Sequence, residues 1–554
     1  MKKLFSTLMI IIAFVAQAQN FENLVSDISS SLQNVQAAKK EFKQSIEVVK
    51  PGVVSLHLEI VPEKGDTKTK DYVFSPYDLD KNTIRASAKG DVISVQLLTK
   101  NGQKMIRQTL DNEKVSYVNK IYVQATDMKN GKELAEKLKK LIPVAKKIID
   151  ARLNLNSYDD YKNWLENNTG EVNLPNKQIN QSIEIPDEVY GKTIINQEVT
   201  DSKKTIKHTY KFNALSLQSR TIGLKVSGDI FYVVLKAKKP LIKHLVDEQH
   251  KNFVKEVKVA FSDIEKARDF KKVMQEFIPI AKKKFMSSLP KISNIKEALH
   301  IINQNIENLQ GKDIQITQTL SGNCVMEVEQ NIQGKKNEHT YKYKFNLADI
   351  NPNALEIATE KGLYVLKIKT VSGNKFIQPH KDGELNSYTN NIKIYNSGIE
   401  TALTTQQLFK NMIDKCKQKM ENQKVPSSEN ELKDKLSDHI RTVETGDKTY
   451  EQQIEFGDEN SVKYTRNETG KKSTTEYLYE FYLQNINPNA IKFRTSGKNV
   501  YVELKTNGME KAVKYYKDGK IGKYQNTIKI YATGIENARN LTNFLKKLTE
   551  IYQK

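Results

Sequence analysis

A fixed offset of 136 residues runs through the second half of the chain. Ile350-Asn351-Pro352-Asn353-Ala354 recurs as Ile486-Asn487-Pro488-Asn489-Ala490, and Lys381-Asp382-Gly383 recurs as Lys517-Asp518-Gly519. Ile392-Lys393-Ile394-Tyr395 recurs as Ile528-Lys529-Ile530-Tyr531, and Gly398-Ile399-Glu400 as Gly534-Ile535-Glu536, at the same offset. Such repetition without insertion means that equivalent side chains are buried in equivalent places, so the repeat is the unit that must fold. The first half repeats less densely. Ile142-Pro143-Val144-Ala145-Lys146-Lys147 recurs as Ile278-Pro279-Ile280-Ala281-Lys282-Lys283. Tyr210-Lys211-Phe212 resembles Tyr343-Lys344-Phe345 and links the two halves. The 554 residues exceed what one hydrophobic core supports. The reading is a leader at 1–18 and four copies of one domain at 19–153, 154–289, 290–424 and 425–554.

The fourth copy shows the plan of one unit. Leu432, Leu436, His439 and Ile440 recur at helical spacing behind Glu429 and Glu431, which favour a helix start. The period then changes to two. Tyr477, Tyr479, Phe481 and Leu483 share one strand face, as do Tyr341, Tyr343, Phe345 and Leu347 in the third copy, the mark of a half-buried antiparallel strand. Asn487-Pro488-Asn489 reads as a turn, and Asp518-Gly519 as a hairpin. After Gly534, Ile535, Ala538, Leu541, Phe544, Leu545, Leu548 and Ile551 form a helical stripe that needs a sheet to cover it. The fold class is α+β: four tandem related domains, each a curved antiparallel sheet or barrel of about seven strands with a C-terminal helix. This element order resembles that of the pleckstrin-homology-like barrel. An open, strongly curved sheet with the helix lying across it satisfies the same pattern.

Residues 1–18 read as a secretory signal peptide: Lys2 and Lys3, then the apolar run Leu8 to Val15, then Ala16-Gln17-Ala18 before a first mature residue Gln19. The apolar run is shorter than the roughly 20 residues a membrane span requires, and no later stretch is longer. The expected location is the periplasm or exterior of a bacterium, with the protein soluble or peripheral. Net charge is +22 and falls to +20 without Lys2 and Lys3. It is spread evenly: residues 19–153 and 154–289 each carry 23 basic and 17 acidic side chains, and residues 290–554 carry 40 and 32. No copy concentrates the charge as a nucleic-acid binder does, so no nucleic acid is expected. Weak attraction to an envelope protein, glycan or anionic lipid is the partner class that this charge supports. Two cysteines, Cys324 and Cys416, are read as either a disulfide or two buried thiols. An oxidising compartment permits the former.

No nucleophile elbow, phosphate loop, dinucleotide fingerprint, zincin helix or calcium loop is present. The histidines are His57, His208, His244, His250, His300, His339, His380 and His439. Only His244 and His250 are near one another, and a surface role is the simpler reading of that pair. Asp382-Gly383 and Asp518-Gly519 serve hairpins, and Glu400 and Glu536 serve helix starts. The tyrosine-rich strands read as core more than as a ligand groove. Trp164, with Tyr161 on the same helix face, reads as packing. No catalytic, cofactor-binding or metal residue is assigned, and no cofactor is implied. The expected function is an exported, non-enzymatic binding or scaffold protein of the cell envelope, its four domains giving an extended surface. The alternatives are a hydrolase or other enzyme with its site in one divergent copy, or a protein attached peripherally to an anionic membrane.

Overall fold

The computed structural model describes residues 2–174, 176–228 and 230–553, with side chains from residue 16 onward. The charged and apolar residues of the expected signal peptide therefore lie outside the described side chains. In the first copy a helix α1 (Lys2–Ser31) leads into strands β1 (Val35–Ala37), β2 (Lys40–Lys50), β3 (Val53–Pro62) and β4 (Lys68–Phe74). Next come β5 (Arg85–Lys89), β6 (Val92–Leu98), β7 (Ile106–Leu110), β8 (Lys114–Val118), β9 (Lys120–Ala125) and a closing helix α2 (Met128–Leu153). The same eleven elements recur in each copy, and the same labels are used in all four. Every copy has a six-stranded antiparallel sheet in the order β1-β2-β3-β4-β7-β8 and a three-stranded one in the order β5-β6-β9.

Nine strands stand where periodicity gives about seven. The two extra strands are short: in the fourth copy β1 is Val443–Thr445 and β8 is Lys520–Ile521. Neither is long enough to show an alternating pattern. The opening helices of the second to fourth copies start on matched caps. Ser157, Asn294 and Ser428 accept from the backbone N–H of Asp160, Glu297 and Glu431, which satisfies an otherwise orphaned helix donor.

Core residues of the first copy come from both sheets and both helices. Phe21, Val25 and Ile28 of α1 meet Leu56, Phe74, Val95, Leu97, Val123, Leu134 and Leu138. No ladder joins the two sheets among the described residues; two smaller devices do. On one seam a single backbone bridge repeats in every copy: Leu79 with Thr99, Leu217 with Ala237, Ile350 with Thr370, and Ile486 with Thr506. On the other seam a glutamine side chain from β2 reaches the backbone of β9.

That glutamine is the most regular polar feature of the molecule. Gln44 donates to the carbonyl of Gln124 at 2.7 Å and accepts from its N–H at 3.0 Å. Gln181 does the same to Ala260, Gln318 to Tyr395 and Gln452 to Tyr531. One primary amide thus supplies both halves of a missing ladder step. It meets the demand of a buried N–H and a buried C=O that would otherwise have no partner. A second repeated polar residue closes the β7–β8 turn. Asp111, Asp247, Asp382 and Asp518 all have positive φ. Each accepts from a backbone N–H of β4, namely those of Thr69, Lys207, Thr340 and Glu476.

The chain divides into two compact units, 1–288 and 289–554, each holding two copies. Within the first unit, Met105 and Tyr117 of the first copy lie in the core of the second, Tyr117 edge-on to Phe231 at 5.0 Å. Within the second unit, Phe376 and Tyr388 occupy the matching places in the core of the fourth copy. A charge pair marks the same junction twice. Arg268 Nε meets Asp78 Oδ2 at 2.5 Å, the two side chains 5% and 4% exposed. Arg539 Nη2 meets Asp349 Oδ2 at 2.6 Å, the side chains 11% and 7% exposed. Cys324, in the turn before β3 of the third copy (Val325–Gly334), is disulfide-bonded to Cys416 of its α2 (Ile399–Glu421). No helix among the described residues is long and apolar enough to cross a membrane.

Candidate functional site

The alternation of β-strands decides what lines the space between the two sheets. In the second copy, the inward positions next to the clamp Gln181 are Lys177 and Ile179 of β2 (Lys177–Glu184), Gln197 and Val199 of β3 (Lys192–Asp201), and His208 and Tyr210 of β4 (Thr205–Asn213). Across from them stand Lys225 to Ser227 of β5 (Gly223–Ser227), Tyr232 of β6 (Ile230–Lys236), and Glu256, Lys258 and Ala260 of β9 (Glu256–Phe261). Together they line a cleft of about 680 Å³.

Register shows what fills the same space elsewhere. In the fourth copy Gln452 is paired with Arg466, and Arg466 with Tyr477, as Gln181 is with Gln197 and Gln197 with His208. Tyr450 and Tyr531 take the places of Ile179 and Ala260, and their rings stack at 3.9 Å. The Arg466 guanidinium lies 4.6 Å from the Tyr477 ring and 5.2 Å from the Tyr531 ring. Burial keeps the Tyr531 hydroxyl protonated, pushed up to about 12. The third copy places buried Tyr395 at the Ala260 position, and the first has buried Phe42 and Leu58 on its β2 and β3. Ile179 and Ala260 where the fourth copy has tyrosines, and Gln197 where it has Arg466, leave the second copy open.

Two histidines meet at the wall of this cleft. His208 Nδ1 is 3.1 Å from His244 Nε2, and His244 Nδ1 is 3.2 Å from Asn252 Oδ1. The carbonyl oxygen of Asn252 only accepts, so His244 donates from Nδ1 and its Nε2 accepts from Nδ1–H of His208. His208 Nε2 then keeps a lone pair with no partner among the described residues. The Tyr210 ring stacks on His244 at 4.6 Å. Burial lowers the pKa of His208, helped by His244 and Lys251. Burial, then Lys251, lowers that of His244, against the hydrogen bond to Asn252. Both rings are neutral at physiological pH. Lys177, Lys225 and Lys258 form no ion pair among the described residues, and Glu256 is the one acidic residue of the lining.

The outer face of the same strands carries a second hollow of about 400 Å³, between Asn180, Ser182, Asn196, Glu198, Lys207 and Thr209. Four of its polar groups pair within it: Thr209 donates to Asn196 at 2.9 Å, and Lys207 pairs with Glu198 at 3.5 Å. It offers a ligand less than the cleft does.

The adjacent pair His244 and His250 does not come together as a site. His250 lies against Phe253 at 5.1 Å on the next strand, and His244 turns to His208. No group of three or more His, Cys, Asp or Glu is placed to hold a metal ion among the described residues. Trp164 packs half-buried against the core of its own copy, beside buried Tyr161. Glu536 does more than open a helix: it accepts from Asn346 at 3.1 Å across the junction. Sequence reasoning missed His208, because β5 and β6 are inserted between the two strands that carry the histidines. The alternation His208-x-Tyr210 was the available signal. Comparison with known proteins finds no matching family model, no similar curated protein and no similar solved structure.

Proposed function

We propose that this chain is an exported, non-enzymatic binding protein of the cell envelope, with the second copy as its ligand-carrying domain and the other copies as scaffold. One observation carries the reading: the inter-sheet space that Tyr450, Arg466 and Tyr531 fill in the fourth copy is an open cleft in the second. Three unpaired ammonium groups against one carboxylate favour an anion, and the Tyr210 and Tyr232 faces favour a flat apolar body. The ligand class is therefore a small aromatic or cyclic carboxylate. Titration calorimetry of the full chain with a series of aryl carboxylates tests this, with Ala260→Tyr as the filling variant. Binding that weakens with salt and disappears in Ala260→Tyr supports it. Unchanged binding by a folded Ala260→Tyr protein refutes it.

A hydrolase in one divergent copy draws on the same cleft, through the free Nε2 of His208 as a general base. Turnover lost in His208→Gln with affinity retained would favour it. Export to an oxidising compartment is supported by the Cys324–Cys416 bond. The pleckstrin-homology-like reading of each copy draws on its order of a four-strand meander, a second sheet and a closing helix. Envelope proteins, glycans and anionic lipids remain the partner classes that the net charge supports.

A further inference from the structure

In the second unit, the junction between the third and fourth copies holds a groove of about 740 Å³. Phe376 and Phe493 form its apolar wall, their rings 4.6 Å apart. Lys375 from the third copy and Lys492, Arg494, Arg539 and Lys546 from the fourth supply the charge, and Asp349 is the one acidic lining residue. Asp349 is taken by Arg539, and Arg494 is held by Glu503 at 2.9 Å. The ammonium groups of Lys375, Lys492 and Lys546 have no hydrogen bond or ion pair among the described residues. Three ammonium groups thus converge on one groove with no counter-charge of their own.

This arrangement is anchored. Arg539 fixes the floor by binding Asp349 across the junction, and its Nε is buried with no hydrogen-bond partner. The guanidinium also lies 5.4 Å from the Phe493 ring. The first unit keeps cations at the matching places: Lys104 for Lys375, Lys225 for Arg494 and Arg268 for Arg539. Lys492 and Lys546 have Gly223 and Gln275 at the matching places, so the full set of three free ammonium groups is particular to the second unit.

We propose that the junction groove of the second unit binds a phosphate-bearing ligand, a multiply charged phosphate group held by Lys375, Lys492 and Lys546 with a compact organic part against Phe376 and Phe493. Flexible ammonium groups suit a tetrahedral polyanion, which they meet as point charges from several directions. The volume exceeds what a bare phosphate fills, so the group is a monoester: a soluble sugar phosphate or the phosphomonoester headgroup of an anionic lipid.

The test uses the full chain and two probes: inorganic pyrophosphate by calorimetry, and phosphatidic acid–phosphatidylcholine vesicles, whose headgroup is a phosphomonoester, by cosedimentation. One double variant removes two site charges, Lys375→Gln with Lys546→Gln. Another removes two exposed lysines of the fourth copy that do not line the groove, Lys520→Gln with Lys523→Gln. The proposal expects saturable pyrophosphate binding that weakens at least about tenfold in the first double variant and is unchanged in the second. Vesicle binding that pyrophosphate displaces assigns the phosphate to a lipid headgroup, whereas pyrophosphate binding without vesicle binding assigns it to a soluble ester. Absence of saturable pyrophosphate binding, or equal weakening in the two double variants, overturns the proposal.

Discussion

Gln181 shows how much of this fold hangs on single polar side chains. Its amide is the second copy's clamp from β2 to β9, making two hydrogen bonds to the backbone of Ala260. Replacing it by Leu leaves a buried N–H and a buried C=O unpaired, at about 1–3 kcal/mol each. Gln181→Leu should therefore lose about 2–6 kcal/mol in denaturant unfolding of the first unit. Gln181→Glu, which accepts but cannot donate and sets a carboxylate against the Ala260 carbonyl, should lose at least as much. The histidine pair gives a second prediction. Native pKa values lowered by burial mean that the unfolded chain binds protons which the folded one refuses. The pair's contribution is complete above the ordinary histidine value of about 6.5 and falls as pH drops below it toward the native values. Melting of the first unit should fall less steeply on acidification when His208→Gln and His244→Gln are combined. An identical slope in both proteins would refute the assignment. None of this was legible in the sequence. A glutamine looks like any other polar residue of a half-exposed strand, and its meaning lies in a carbonyl and an N–H some 80 positions away that carry no residue identity.

Elements were far more legible, because each has a period that side-chain burial enforces. The stripe from Ile535 to Leu548 is buried as the helical spacing requires. The Asp382-Gly383 and Asp518-Gly519 turns hold the positive φ values that hairpin chemistry implies. The shortest strands escaped, since three residues define no alternation. What no period reveals is how one copy's elements meet another's. The Arg268–Asp78 pair joins α2 of the second copy (Ile264–Ser288) to the chain after β4 of the first. Each partner stands among other charged residues, Arg268 beside Glu265, Lys266 and Asp269, and Asp78 beside Asp80 and Lys81, so nothing in its own segment singles it out. Removing one leaves the other buried and uncompensated, whereas removing both leaves an apolar contact. Arg268→Leu and Asp78→Leu should each cost about 3–5 kcal/mol, and the double variant much less than their sum. A double-mutant cycle by chemical denaturation measures the difference, and additive losses would contradict the coupling.

At the scale of the whole molecule, the repeat of sequence and the unit of folding differ. Offsets between copies divide the chain into quarters, whereas shared cores group the quarters into pairs. Phe376 and Tyr388 sit in the core of the copy that follows their own. Each large side chain buried this way is worth roughly 1.5–3 kcal/mol, a large share of the stability of a single small domain. A fragment spanning 289–554 should unfold in one cooperative transition. A fragment spanning 425–554, which lacks both side chains, should melt broadly or fail to fold. Circular dichroism and calorimetry on the two fragments decide the matter, and a sharp transition in the shorter one would show the quarters to be independent.

The bond between Cys324 and Cys416 spans a sequence separation of 92 residues. Tension applied to the chain's two ends passes through that bond and bypasses the loop. At roughly 3.3–3.6 Å per extended residue, the stretched oxidised molecule is shorter than the reduced one by about 300 Å. Under mechanical load β3 to β9 of the third copy feel no direct pull, and that part of the protein survives intact while its neighbours are drawn out.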